Sequence, residues 1–206
     1  MSAMWRVFAV YLLCMSTASA GLFGGLGKSD FTCDMKDDSK FGLVVLSGSI
    51  PESKTPYGAP LSINYVFSSP NNPLMGMTLQ FQKGSLFKKP HSDFAGEFGE
   101  LLVLRVKPGD YSLDTWNYRD LGANDYKPTE TLAKIPFQVA PGRVTYLGSF
   151  KPKLIPGRNM LGTSLVSLWP TSVDNSQRDL SLLFQSCPQL DIMQVDMSPL
   201  DLSRWK

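Results

Sequence analysis

Apolar and polar residues alternate with a period of two along much of this chain, which is the spacing of half-buried β-strands. Leu61, Ile63, Tyr65 and Phe67 fall on one face of such a run, and Ser62, Asn64 and Val66 fall on the other. Residues 77–82, 101–106, 110–117, 136–139, 143–150 and 161–169 alternate in the same way. Residues 41–50 differ: Leu43, Val44, Val45, Leu46 and Ile50 leave little room for polar positions, which predicts a central strand. Prolines at 51, 56 and 60 bound a loop, residues 68–73 form a turn cluster, and residues 83–99 form a long connection carrying His91.

Two Pro-Gly turns punctuate the middle of the chain. The first lies in Leu104-Arg105-Val106-Lys107-Pro108-Gly109-Asp110-Tyr111, the second in Phe137-Gln138-Val139-Ala140-Pro141-Gly142-Arg143-Val144-Thr145-Tyr146. Proline presets the first central torsion of a tight turn, and glycine accepts the positive φ that a type II turn needs next. The flanking alternation predicts one β-hairpin around each turn. Pro-Gly-x-Tyr after an alternating strand, repeated as Pro-Gly-x-x-x-Tyr-Leu-Gly, resembles the prealbumin-like or carboxypeptidase-regulatory-like β-sandwich domains of bacterial envelope proteins. It is also similar to uncharacterised periplasmic proteins and lipoproteins built on such a sandwich. The resemblance covers residues 99–150 and implies a non-catalytic envelope module, with no functional residues to carry over.

Helical spacing occurs once. Leu180, Leu183, Phe184 and Cys187 share a face at i, i+3, i+4 and i+7, and Pro188 ends the run. Ser176-Gln177-Arg178-Asp179 resembles a capping box with Asp in place of Glu, so a helix is expected over 176–186. The fold expected is all-β: an antiparallel β-sandwich of about 7–9 strands over 41–206, with one short C-terminal helix packed on it.

The first twenty residues change the picture of where this domain works. Arg6, the apolar run 7–15 and the ending Ala18-Ser19-Ala20 have the order of a secretory signal peptide, with cleavage after Ala20. Export to a periplasm or cell envelope is therefore expected. A retained anchor is the rival reading, since no charge falls between Val7 and Gly27, but the second half of that stretch is Ser, Ala and Gly. Leu13 precedes Cys14 where a lipoprotein signal wants a small residue, which argues against lipid anchoring. Residues 21–40 read as a lead-in rich in glycine, and Leu22, Phe23 and Leu26 leave peripheral membrane association open. Cleavage leaves Cys33 and Cys187, which an exported chain most economically joins in a disulfide. No transmembrane span is expected in the mature chain.

A formal net charge of +2 without a basic stripe argues against nucleic-acid binding. The single histidine, His91, sits in a turn-like loop with Asp93 nearby, and no Gly-x-Ser-x-Gly elbow accompanies it. One histidine and two disulfide-bonded cysteines leave no zinc site, and neither metal nor cofactor is expected. Glu97, Glu100 and Asp120 are the carboxylates that a hydrolase would use. Asp120, Asn124 and Asp125 could meet a calcium ion, without EF-hand spacing.

The loop over 114–134 is the strongest candidate for recognition. It interleaves Trp116, Tyr118 and Tyr126 with Arg119, Asp120, Asn124 and Asp125, and rings beside polar groups suit sugars or peptides. The competing reading makes Trp116 and Tyr118 the buried face of a strand. The function expected is an exported, non-catalytic envelope module binding a protein, a glycan or another envelope component. A periplasmic carboxylate-dependent hydrolase and a structural subunit assembling through a sheet edge are the alternatives.

Overall fold

A computed structural model describes residue 33 and residues 40–51, 61–70, 72–81, 92–119, 125–158 and 164–205. Residues 1–20, expected to be a signal peptide, with Cys14 among them, residues 21–40 apart from Cys33 and Lys40, and His91 lie outside the described residues. The apolar run becomes strand β1 (Gly42–Pro51), buried along nearly its whole length. The alternating runs become β2 (Leu61–Ser69), β3 (Asn72–Phe81), β4 (Glu97–Val106), β5 (Gly109–Arg119), β7 (Ile135–Val139), β8 (Val144–Phe150) and β10 (Ser164–Trp169). Four further strands were not expected. Three are very short: β6 (Asp125–Tyr126), β11 (Ser172–Val173) and β12 (Val195–Met197). The fourth, β9 (Lys153–Arg158), contains Pro156 and Gly157, which argue against a strand when only the sequence is read.

The strands form two five-stranded sheets and a separate ribbon of β9 with β10. The first sheet has the order β11–β8–β1–β4, with β12 also on β8. The second has the order β3–β2–β5–β6, with β7 also on β5. Three expectations about the strands need correction. The described strands number twelve rather than seven to nine, and the first sheet is mixed rather than antiparallel. In it, β1 runs parallel to β8, and β12 runs parallel to β8 as well. The two Pro-Gly turns do not close hairpins either. Strand β4 pairs with β1 while β5 pairs with β2 and β7, so Pro108-Gly109 carries the chain from one sheet to the other. Pro141-Gly142 does the same between β7 and β8. Gly142 takes φ +67°, and its N–H donates to the carbonyl of Phe41 at 2.9 Å, which stitches the turn to the start of β1. Alternation identifies a strand; the partner is chosen by which faces can be buried together.

The first sheet is covered on both faces. Val44, Leu46 and Ile50 point into an apolar cluster shared with Tyr65, Phe67 and Leu113 of the second sheet. The Tyr65 and Phe150 rings meet across the two sheets at 4.8 Å, edge to face. Leu43, Val45, Leu101 and Tyr146 point the other way, into a second cluster with Leu183, Cys187 and Cys33. Each apolar side chain buried in this way is worth roughly 1.5–3 kcal/mol. The chain end is part of the fold, with Leu200, Leu202 and Trp205 in the shared core and the Trp205 indole donating to the carbonyl of Ala133 at 2.8 Å.

Helix α1 (Ser176–Ser186) has the expected bounds, with Asn175 rather than Ser176 at its N-cap and no side-chain cap. Asp179 therefore does not close a capping box. It turns inward, is 0 % exposed, and accepts hydrogen bonds from Ser47 Oγ at 2.6 Å and Tyr146 Oη at 2.7 Å. Arg178 donates to the same carboxylate at 2.9 Å and to Glu97 at 2.9 Å, and its guanidinium lies 3.7 Å from the centre of the Phe94 ring. Glu97 also accepts from Ser49 at 2.7 Å and from Lys151. Burial first, and the Asp179 carboxylate next, push the Tyr146 hydroxyl well above the usual phenol range, so it stays a donor.

A disulfide joins Cys33 to Cys187 at the end of α1, with Cα atoms 5.7 Å apart and a sequence separation of 154. In the chain-entropy picture a loop of that size contributes about 5 kcal/mol. Asp179→Ala removes the acceptor for three side chains and leaves Arg178 half-paired against the sheet. It is expected to lower stability by about 3–5 kcal/mol in urea denaturation, whereas Ser181→Ala on the exposed face of α1 serves as a near-neutral control.

Candidate functional site

Strand β5 contains a β-bulge, and the bulge builds the site. Val66 of β2 pairs with Thr115 and Phe67 pairs with Leu113, so Asp114 has no opposite residue. Tyr111 and Leu113 face the core on one parity, and Trp116 and Tyr118 face it on the other. The extra residue allows both pairs to be buried and turns Asp114 toward the outer face of the sheet. There it accepts from Ser68 Oγ at 2.6 Å, from Ser112 Oγ at 2.5 Å and from Lys134 Nζ at 3.0 Å. The two serine oxygens lie 3.2 Å apart.

These residues line a groove of about 550 Å³ together with Ser69, Pro70, Asp110 and Tyr111. The Tyr111 hydroxyl is tied to the carbonyl of Lys107 at 2.7 Å, and its ring stacks on Phe137 at 5.6 Å, so this wall is rigid. Polar pairs continue along the same face. Gln138 donates to Asp110 at 3.2 Å, and Asn64 donates to Asn117 at 2.7 Å. From Asp110 to Asn117 this polar track extends about 23 Å at the usual strand rise.

Burial alone would raise the Asp114 carboxyl, but the Ser112, Ser68 and Lys134 hydrogen bonds and the Lys134 charge hold it below the usual carboxylate range. Glu97 behaves likewise: burial opposes ionisation, and Lys151, Ser49 and Arg178 outweigh it. Both groups are more acidic in the folded chain than in the unfolded one. Their contribution is therefore complete above the unfolded values of about 3.9 and 4.3 and is lost as pH falls through the folded ones. The urea midpoint is expected to hold steady above about pH 5 and to drop below about pH 4, and Asp114→Asn to make that drop shallower.

Of the residues singled out for recognition, Trp116 and Tyr118 are each 4 % exposed. Both rings lie in the core, stacked at 5.9 Å, with Trp169 edge-on to Trp116 at 5.8 Å. The reading of the pair as strand core describes where they are, and they present no ring face to a surface ligand. Asp120 and Asn124 lie outside the described residues. Arg119, Asp125 and Tyr126 are described by backbone alone, as Tyr118 pairs with Tyr126 and Arg119 with Asp125 between β5 and β6. Trp116→Ala is expected to cost about 3–5 kcal/mol as a core truncation, read as an earlier urea midpoint rather than as a surface-binding defect.

The carboxylates do not form a facing pair in what is described. Glu97 shares its face of β4 with Leu101, which joins the cluster under α1. Glu100 lies on the opposite face with Phe98 and Leu102. Asp110 and Asp114 sit four positions apart on one strand, about 13 Å by strand rise, beyond the roughly 5–9.5 Å of glycosidase pairs. Asp93 accepts from the backbone N–H of Leu101 at 2.9 Å and so helps to hold the outer edge of β4. Among the described residues no cluster of three or more His, Cys, Asp or Glu could hold a metal ion, and no helix is long and apolar enough to cross a membrane.

Sequence reasoning missed the groove because Ser68, Ser112, Asp114 and Lys134 are ordinary solvent-face residues on three separate segments. The one available signal was the change of apolar parity between Leu113 and Trp116, which marks the bulge. The chain matches no protein family and no curated protein in sequence comparison.

Proposed function

We propose that this protein is an exported, non-catalytic β-sandwich module of the cell envelope that binds a glycan along the polar track of β2, β5 and β7. The observation that carries this reading is the Asp114 groove and its continuation through Asp110–Gln138 and Asn64–Asn117. Sugar hydroxyls both donate and accept, and the track offers carboxylates, hydroxyls, amides and an ammonium in one row. Its length suits several linked rings rather than one. Among the described residues, the groove is lined mainly by serines, acids and a lysine rather than by the apolar side chains that anchor hydrophobic peptides. The resemblance of residues 99–150 to prealbumin-like envelope domains, and the signal-like N-terminus, support the module and its compartment. Among the described acids, Glu97 and Glu100 lie on opposite faces of β4, which favours binding over hydrolysis.

The mature chain from Gly21, prepared oxidised, is titrated calorimetrically with peptidoglycan fragments and with a panel of neutral and acidic oligosaccharides. Saturable binding that weakens at least tenfold in Asp110→Ala and in Lys134→Ala is the expected result. Lys134 is 66 % exposed at its side chain, so its loss leaves the fold intact. Absence of binding across the panel, or binding untouched by both substitutions, sinks the assignment. Release of reducing ends during the titration would instead favour the hydrolase.

A further inference from the structure

Tyr65 and Trp116 stand opposite each other in the register of β2 and β5, and both side chains enter the core shared by the sheets. Tyr65 is 0 % exposed and Trp116 is 4 % exposed. The Tyr65 hydroxyl and the Trp116 indole N–H are both buried, and neither has a hydrogen-bond partner. Elsewhere the fold does satisfy such groups. Tyr146 reaches Asp179, Tyr111 reaches the Lys107 carbonyl, and Trp205 reaches the Ala133 carbonyl. Two unmet donors on directly paired residues are therefore a local feature rather than a general slackness.

Aromatic rings pack against both side chains. Phe150 lies 4.8 Å from Tyr65, while Tyr118 and Trp169 lie 5.9 Å and 5.8 Å from Trp116. Ring contacts satisfy an N–H or O–H only weakly. Burial keeps the Tyr65 hydroxyl protonated by raising its ionisation above the usual phenol range, so it offers a hydrogen and not a negative charge. Two neutral donors in an aromatic setting select for an oxygen lone pair.

We propose that the aromatic layer around Tyr65 and Trp116 is an internal binding site for an oxygen acceptor, held by the Tyr65 hydroxyl and the Trp116 indole N–H. The acceptor chemistry has two sources: a trapped water, or the carbonyl or carboxylate oxygen of a small apolar molecule whose body lies against the rings. The site lies inside the core, on the opposite side of the second sheet from the polar track, and is independent of glycan binding.

The test uses the oxidised mature chain and its Tyr65→Phe variant, which keeps the ring and removes only the hydroxyl. The unfolding midpoint of the variant is expected to fall by about 2–4 °C, the shift a lost hydrogen bond produces in a chain of this size. In the wild-type chain the indole N–H resonance of Trp116, assigned by its loss in Trp116→Phe, is expected at a hydrogen-bonded chemical shift. An unchanged or raised midpoint together with a non-bonded indole shift overturns the proposal and leaves ring contacts alone. Native mass spectrometry before and after solvent extraction then separates the sources. A removable mass adduct identifies an apolar molecule, and a bonded indole without an adduct identifies water.

Discussion

A carboxylate sealed from water must find its donors inside the protein, and Asp179 finds them on three elements at once. Ser47 of β1 and Tyr146 of β8 donate to it from the sheet, and Arg178 donates from its own helix. The charge then passes through Arg178 to Glu97 and on to Lys151, so two acids and two bases close against each other at the sheet surface. Such a network permits one seating of the helix, because a shift of one turn would strand a buried charge. The Cys33–Cys187 bond holds the other end of the same helix. With its outer face covered in this way, the first sheet can bury β1 on both sides, and the second sheet needs to supply only one apolar face.

That division leaves polar side chains on the outer face of the second sheet. Its inner face carries Tyr65, Phe67, Leu113 and Trp116 into the shared core, while its outer face keeps serines, asparagines and acids. Each sheet also carries an irregularity that re-aims side chains. Gly148 takes φ +104° where the β1–β8 register shifts, so Tyr146 and Ser149 lie on the helix side while Leu147 and Phe150 enter the shared core. Asp114 does the equivalent in β5, and there the displaced residue is a carboxylate that gathers two hydroxyls and an ammonium around itself. A bulge costs local pairing, and both bulges recover it through the side chains they re-aim.

The fold was legible in the sequence wherever a residue's role depended on its near neighbours. The period-two runs became strands, the i, i+3, i+4 spacing became α1 with the expected bounds, and two cysteines far apart in the chain proved to be partners. The candidate site was much less legible. Trp116 and Tyr118 carried the sequence-level hypothesis because aromatic rings among polar residues look the same in a binding loop and in a core strand. Tertiary packing distinguishes the two: with the extra residue at Asp114, Trp116 and Tyr118 enter the same core as Leu113.

The sequence by itself determined most of the longer extended segments, where the two Pro-Gly turns fall, and the helix over 176–186, because these follow from torsional preference and local burial period. The tertiary structure decided which strands pair, that both Pro-Gly turns pass between sheets, and that β1 and β8 run parallel. It also decided that Asp179 serves the core rather than a helix cap, and that Ser68, Ser112, Asp114 and Lys134 share one groove. Those outcomes rest on contacts between residues tens of positions apart. There the deciding quantities are the burial of whole faces and the pairing of buried charge, and neither is carried by a local stretch of chain.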